Sequence, residues 1–156
     1  MKLEEAKSLA IELMDKHGLF DKGWSFEFDN AKRRLGRCRY NSFGGGGLIS
    51  LSKHITLIND ISIIRNTILH EIAHALVGYI HKHDSVWRFK AMEIGCNGNR
   101  LCSDNVKVEG KYVAICNGCG KKKYAHRKKK RASSCGDCSG GSFNSDYILD
   151  FKLNIN

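Results

Sequence analysis

The chain has 156 residues, with 26 Lys and Arg against 16 Asp and Glu, a formal net charge of +10 and 42% hydrophobic residues. That length suits one ordinary domain, or a compact domain with a small appended module. No run approaches the roughly 18 consecutive apolar residues of a membrane span, and the opening MKLEEAKSLAIELMDKHG has neither an apolar leader core nor a cleavage site, so an intracellular protein with no membrane partner is expected.

Residues 3–17 place Leu3, Ala6, Leu9, Ala10, Leu13 and Met14 at helical spacing, with Gly18 as the stop. Trp24, Phe26 and Phe28 alternate with Ser25 and Glu27, which predicts a strand with an aromatic face, turning at Asp29-Asn30. An arginine-rich strand over Leu35–Tyr40 follows, with Cys38 in it. The Gly44–Gly47 run reads as a turn. No G-K-[ST] ending follows it, and Leu48-Ile49-Ser50-Leu51 has the pattern of a strand, which together argue against a phosphate loop.

Asn59 or Asp60 then caps a helix expected to run to about Ile80. Ile61, Ile64, Ile68, Ile72 and Ala75 form its apolar stripe, widened by Ile63, Leu69, Ala73, Leu76 and Ile80, so the helix should be central and buried. Inside it stand His70, Glu71 and His74. Four residues advance a helix by slightly more than one turn, so the two histidines share a face and can hold one metal ion. Glu71 points about 100° away, within reach of a metal-bound water as a base. His83 is a third candidate ligand, and three ligands plus water leave the open position of a catalytic zinc. Zinc lowers the pKa of such a water to about 7, and Glu71 would take its proton as it attacks a carbonyl. The implied chemistry is amide hydrolysis. Tyr79 and Arg88 read as packing or surface residues rather than oxyanion stabilisers. Val86, Phe89, Ala91, Met92 and Ile94 predict a further short helix ending at Gly95, then a Cys96–Cys102 loop and a boundary near Lys107–Gly110.

The stretch HEIAHALVGYIHKHDSVWRFKAMEIG, preceded by LISLSKHI, resembles the SprT/Spartan family of zinc metalloproteases. In that family the active-site helix bears HExxH and a third histidine opens an H-G-x-x-[WF]-type motif. The resemblance makes His83 the third ligand and Trp87 the aromatic residue of that motif. Asp84 stands where glycine is common, and His81 remains a rival ligand. SprT-like proteins often carry a C-terminal zinc ribbon. The resemblance implies a protease working near or on DNA, against proteins crosslinked to it.

Seven cysteines without an export signal argue for metal rather than disulfides. Cys116-x2-Cys119, then 15 residues, then Cys135-x2-Cys138 is a four-thiolate zinc pattern with glycines suited to tight turns. Four thiolates close the coordination shell, so this zinc is structural and holds a module too small to rely on its core. Between the pairs lies a basic run, Lys121, Lys122, Lys123, Tyr124, Arg127, Lys128, Lys129, Lys130 and Arg131. Residues 110–156 carry 10 Lys and Arg against 3 Asp and Glu, so phosphate-backbone binding is expected, dependent on salt and indifferent to sequence. Tyr124 is placed to stack on a base. Cys38, Cys96 and Cys102 read as buried free thiols, and the closing YILDFKLNI, residues 147–155, reads as a last strand.

The sequence therefore predicts an α+β protein: a minimal zincin-like module over about residues 1–105 and a small β zinc ribbon over about 110–156. The expected function is a zinc-dependent, DNA-associated endopeptidase that cleaves proteins bound or crosslinked to DNA, with two Zn²⁺ ions, one catalytic and one structural. The alternative is a non-catalytic zinc-containing DNA-binding or adaptor protein. Glu71 counts against it, because a structural site needs no base.

Overall fold

The computed structural model describes residues 1–42, 44–100 and 108–154, and the chain divides into two units, Met1–Val108 and Glu109–Asn156. Cys102, the Lys107 side of the expected boundary and Ile155 at the end of the expected last strand lie outside the described residues.

In the first unit, helix α1 (Leu3–Lys16) buries Ala6, Ala10, Leu13 and Met14 and stops before Gly18, whose φ is +62°. Strands β1 (Trp24–Asp29), β2 (Gly36–Tyr40) and β3 (Gly47–Ser52) form one sheet in the order β1-β3-β2. β3 is central, parallel to β1 and antiparallel to β2, which leaves β2 on an edge. The register aligns Trp24 with Gly47 and Tyr40, and Phe26 with Ile49 and Cys38. These residues share the inward face, by the two-residue alternation of strands.

The chain does not pass from β3 straight into a loop. The Ser52 hydroxyl accepts from the Ile55 N–H at 3.1 Å and starts a five-residue helix, α2 (Lys53–Leu57). The Asp60 carboxylate then accepts from the Ile63 N–H at 3.1 Å and opens α3 (Ile61–Val77). This helix buries Ile64, Ile68, Leu69, Ile72 and Ala73 against α1 and the sheet. Two members of the expected stripe, Ile61 and Ile80, are instead 60% and 68% exposed. Ile61 is the first residue of the helix, and Ile80 lies beyond its end: Gly78 takes a φ of +89° and turns the chain into a 3-10 turn, Tyr79–His81. The helix thus ends at Val77, short of the expected Ile80. Asp84 caps α4 (Ser85–Glu93), which packs Trp87 and Ala91 inward.

The second unit pairs β4 (Tyr112–Ile115) with β5 (Lys122–Ala125) and with β6 (Lys152–Leu153), in the order β5-β4-β6. The expected strand over residues 147–155 is much shorter. Asn144 accepts from the Asp146 N–H at 2.8 Å and forms a 3-10 turn, Ser145–Tyr147, and only Lys152 and Leu153 reach β4. The molecule is mixed α/β, with two small sheets and four cysteines gathered in its C-terminal unit.

Candidate metal centre and cleft

α3 presents His70 and His74 one turn apart, and the loop between the 3-10 turn and α4 brings His83 to them. The Nε2 atom of His83 is 3.1 Å from Nε2 of His74 and 3.1 Å from Nε2 of His70. Two nitrogens bound to one tetrahedral zinc at 2.0–2.1 Å stand about 3.3 Å apart, so this donor set fits a zinc ion. Burial, then neighbouring imidazoles, holds His70 down to about 3 and His74 to about 4; His83 is lowered by burial and by Arg100. All three rings are therefore neutral at pH 7, the state in which imidazole binds metal. A hydrogen bond to the backbone of Asn99 orients the His70 ring.

Trp87 is the floor of this cluster. Its ring centroid lies 4.6 Å from His70, 4.6 Å from His83 and 5.2 Å from His74, with the His74 ring stacked at 27°. The loop carrying His83 is fixed by Asp84, whose carboxylate accepts from the Trp87 N–H at 3.0 Å and meets His81 Nδ1 at 3.0 Å. His81, the rival third ligand, is thus turned to Asp84 and lies outside the histidine cluster. Between them Lys82 has a φ of +37°, which sends consecutive histidines to different partners.

Glu71 is buried, and burial raises its carboxyl to about 7, against the opposing pull of the Cys38 backbone N–H and the Arg34 charge. A carboxyl that titrates near neutrality can take and return a proton. The open cleft beside it, about 420 Å³, is walled by Gly36, Arg37, Cys38 and Tyr40 of β2 and by Tyr79 and Lys82 across from them. The Tyr40 hydroxyl donates to the His74 carbonyl, tying β2 to the last turn of α3. Tyr79 is 72% exposed and in edge contact with Tyr40, while Arg88 is exposed on α4.

In the second unit, Cys116 Sγ is 3.7 Å from Cys138 Sγ, and Cys119 Sγ is 3.8 Å from Cys135 Sγ. Sulfurs bound to one zinc at 2.3 Å in tetrahedral geometry stand about 3.8 Å apart, so these thiols fit a shared ion and not disulfides. The turn after β4 delivers the first pair: the Gly120 N–H donates to the Cys116 carbonyl at 2.8 Å, with Gly120 at φ +67°. Hydrogen bonding from the Cys119 N–H holds the Cys116 thiol down, to about 6, so its thiolate form is within reach at neutral pH.

The basic run is partly engaged within the unit. Lys121 and Lys123 hold Asp137 at 3.2 and 2.9 Å, Tyr124 donates to Glu109 at 2.8 Å, and Lys129 lies 5.9 Å from the centre of the Phe151 ring. Lys122, Arg127, Lys128, Lys130 and Arg131 are exposed and in no salt bridge among the described residues.

The cleft also contains residues to which sequence reasoning gave no role at the site. Tyr40, Gly36 and the Cys38 backbone meet α3 only through the fold. The one available signal was Gly36 within an otherwise β-forming segment, which marks a close backbone approach.

The SprT-like family model matches residues 10–108, most of the first unit, and the chain belongs to that family. No curated protein and no solved structure matches it significantly. Among the described residues, no helix is long and apolar enough to cross a membrane.

Proposed function

We propose that this SprT-like protein is a zinc-dependent, zincin-like endopeptidase that cleaves proteins bound or crosslinked to DNA. One observation carries the peptidase reading: the buried carboxyl of Glu71 lies beside three convergent, neutral imidazoles in an open cleft. His70, His74 and His83 would hold the ion. When bound, zinc supplies Lewis-acid polarisation of the scissile carbonyl and acidifies water. Glu71 receives the proton of the attacking water and returns it to the leaving amine. The edge strand β2 offers its unpaired side to an extended substrate backbone. Cys116, Cys119, Cys135 and Cys138 would hold a second, structural zinc.

DNA association rests on the exposed cations Lys122, Arg127, Lys128, Lys130 and Arg131 beside that structural site. They suit phosphates and carry no base readout, so binding is salt-dependent and sequence-independent. Holding the enzyme on the strand raises the effective concentration of adjacent protein, which gives selectivity without a specificity pocket.

The test compares wild type with Glu71→Gln for zinc content, DNA affinity and cleavage of a DNA-bound protein. Two zinc ions per chain and DNA-stimulated cleavage lost only in the variant support the proposal. Two ions and DNA binding without cleavage of any DNA-bound protein would replace it with the adaptor reading.

A further inference from the structure

Residues 30–59 contain six Lys and Arg and no Asp or Glu. Within that stretch β2 alternates Cys38 and Tyr40, which face inward, with Arg37 and Arg39, which are exposed on the opposite face. A two-residue repeat of a strand puts those two arginines about 6.7 Å apart in a row. Lys32 and Arg33, also exposed, stand in the loop that leads into β2. That loop is fixed: the Ala31 N–H donates to Asp29 at 2.9 Å, and the Ser52 hydroxyl donates to the Ala31 carbonyl.

From this placement we infer that the outer face of β2 together with the loop leading into it, through Lys32, Arg33, Arg37 and Arg39, binds the phosphate backbone of nucleic acid directly. The contact is separate from the ribbon and lies on the unit that carries the histidine cluster.

The local acids do not neutralise this face. Asp29 is taken by Arg34 and by the Ser50 hydroxyl at 2.9 Å. Glu27 is on β1, aligned with Ser50 and Arg37 but two strands from β2, about 9.6 Å away. None of the four cations is in a salt bridge among the described residues. Charge on an edge strand can serve simply to discourage strand pairing. That use accounts for Arg37 and Arg39 but not for Lys32 and Arg33, which precede the strand.

The chemistry of the face separates nucleic acid from an acidic protein. Protein interfaces centre on apolar or aromatic anchors within a polar rim. Among the described residues, the exposed large hydrophobic side chains of the first unit lie on α1, the α1–β1 loop, the α2–α3 region, the 3-10 turn and α4, and none is on this sheet face. A face with four cations and no apolar anchor, three of them arginines with bidentate forks, suits phosphates. With no aromatic side chain among its described residues to stack on bases, it reads the backbone alone. Arg37 also borders the cleft, so the basic face and the cleft adjoin along β2.

The inference goes beyond the proposed function and does not need peptidase activity. Its test is fluorescence anisotropy with a labelled duplex, using the full chain in a Lys128→Ser, Lys129→Ser, Lys130→Ser, Arg131→Ser background. Residual binding is expected there. Adding Lys32→Ser, Arg33→Ser, Arg37→Ser and Arg39→Ser should flatten the log–log salt dependence by about 3.6, near 0.9 per lost phosphate contact. Arg37→Lys with Arg39→Lys should keep most of the slope. Should the fourfold addition lose its thermal transition, Arg39→Gln alone is expected to lower the slope by about 1. An unchanged slope and affinity would overturn the inference, as would polyglutamate binding with equal affinity and equal sensitivity to the same substitutions.

Discussion

A Cβ added to Gly36 would stand 2.6 Å from Oε1 of Glu71 and 3.0 Å from its Cγ. The carboxylate is thus held in a notch between the Gly36 Cα and the backbone N–H of Cys38. Gly36 does not have a positive φ, so alanine there is compatible with the backbone and the clash alone is felt. Gly36→Ala should displace Glu71 and lower kcat by about 10- to 100-fold. KM and zinc content should stay near wild type. A fall in zinc content matching the fall in kcat would show instead that the substitution disrupts the whole site.

His83 and His81 are two residues apart but have different partners. His83→Ala removes one of three convergent Nε2 atoms and should reduce zinc from two ions per chain to one, with peptidase activity lost. His81→Ala removes only the contact to Asp84 and should keep both ions. Elemental analysis of the purified variants reads this directly. Zinc loss in His81→Ala alone would reverse the ligand assignment.

Asp84 replaces the glycine common at this position of the family motif, and its carboxylate caps α4 through the Trp87 N–H. Losing an N-cap carboxylate to alanine costs about 1 kcal/mol, and to glycine only a few tenths. Asp84→Ala should therefore lower the urea midpoint measurably while Asp84→Gly barely moves it. Equal losses in both would mean that the contact with His81, not the cap, supplies the stability.

The parts of the site legible in the sequence are those set by spacing along one element. His70 and His74 meet because a helix repeats near four residues, and each cysteine pair closes within one turn. His83 was reachable through a motif that happens to lie nearby in the chain. The β2 wall was not legible: Tyr40 meets His74 across 34 residues, and nothing in the alternation of Gly36, Cys38 and Tyr40 names the helix they face. α2 was hidden because Ser52 serves both as the last residue of β3 and as a cap. The basic run showed its charge but not that Lys121 and Lys123 would be engaged with Asp137.

Trp87 is 1% exposed, and its ring touches all three candidate zinc ligands. Trp87→Ala removes that floor and should cost about 3–5 kcal/mol. Zinc affinity at the histidine site should fall at least tenfold, as expected when packing behind ligands is lost. The indole Nε1 is buried without a partner among the described residues, so Trp87→Phe gives up area but no hydrogen bond. The phenylalanine variant should keep most of both properties, as read by denaturant unfolding and by competition with a zinc chelator. Full zinc affinity in Trp87→Ala would show that the three imidazoles are oriented without it.

The second unit has little apart from its thiols to hold it together. Its buried apolar residues among those described are Ala114, Cys116, Ala125 and Cys135, with no large aliphatic or aromatic side chain below the surface. The first unit, by contrast, buries Leu13, Met14, Ile49, Leu51, Ile64, Ile68, Leu69, Ile72 and Trp87. Removing metal with a strong chelator should therefore unfold residues 109–156 and leave the first unit folded. Hydrogen exchange would show it as lost protection over Tyr112–Ile115 with α3 still protected. Acid should act in the same direction: zinc-bound sulfur is thiolate, so falling pH returns protons to the cysteines, releases the ion and destabilises this unit. Cys135→Ser should reproduce the chelated pattern at neutral pH. Protection of β4 that survives metal removal would mean that hydrogen bonds such as Cys135 N–H to the Tyr147 carbonyl, 2.9 Å, suffice without the ion.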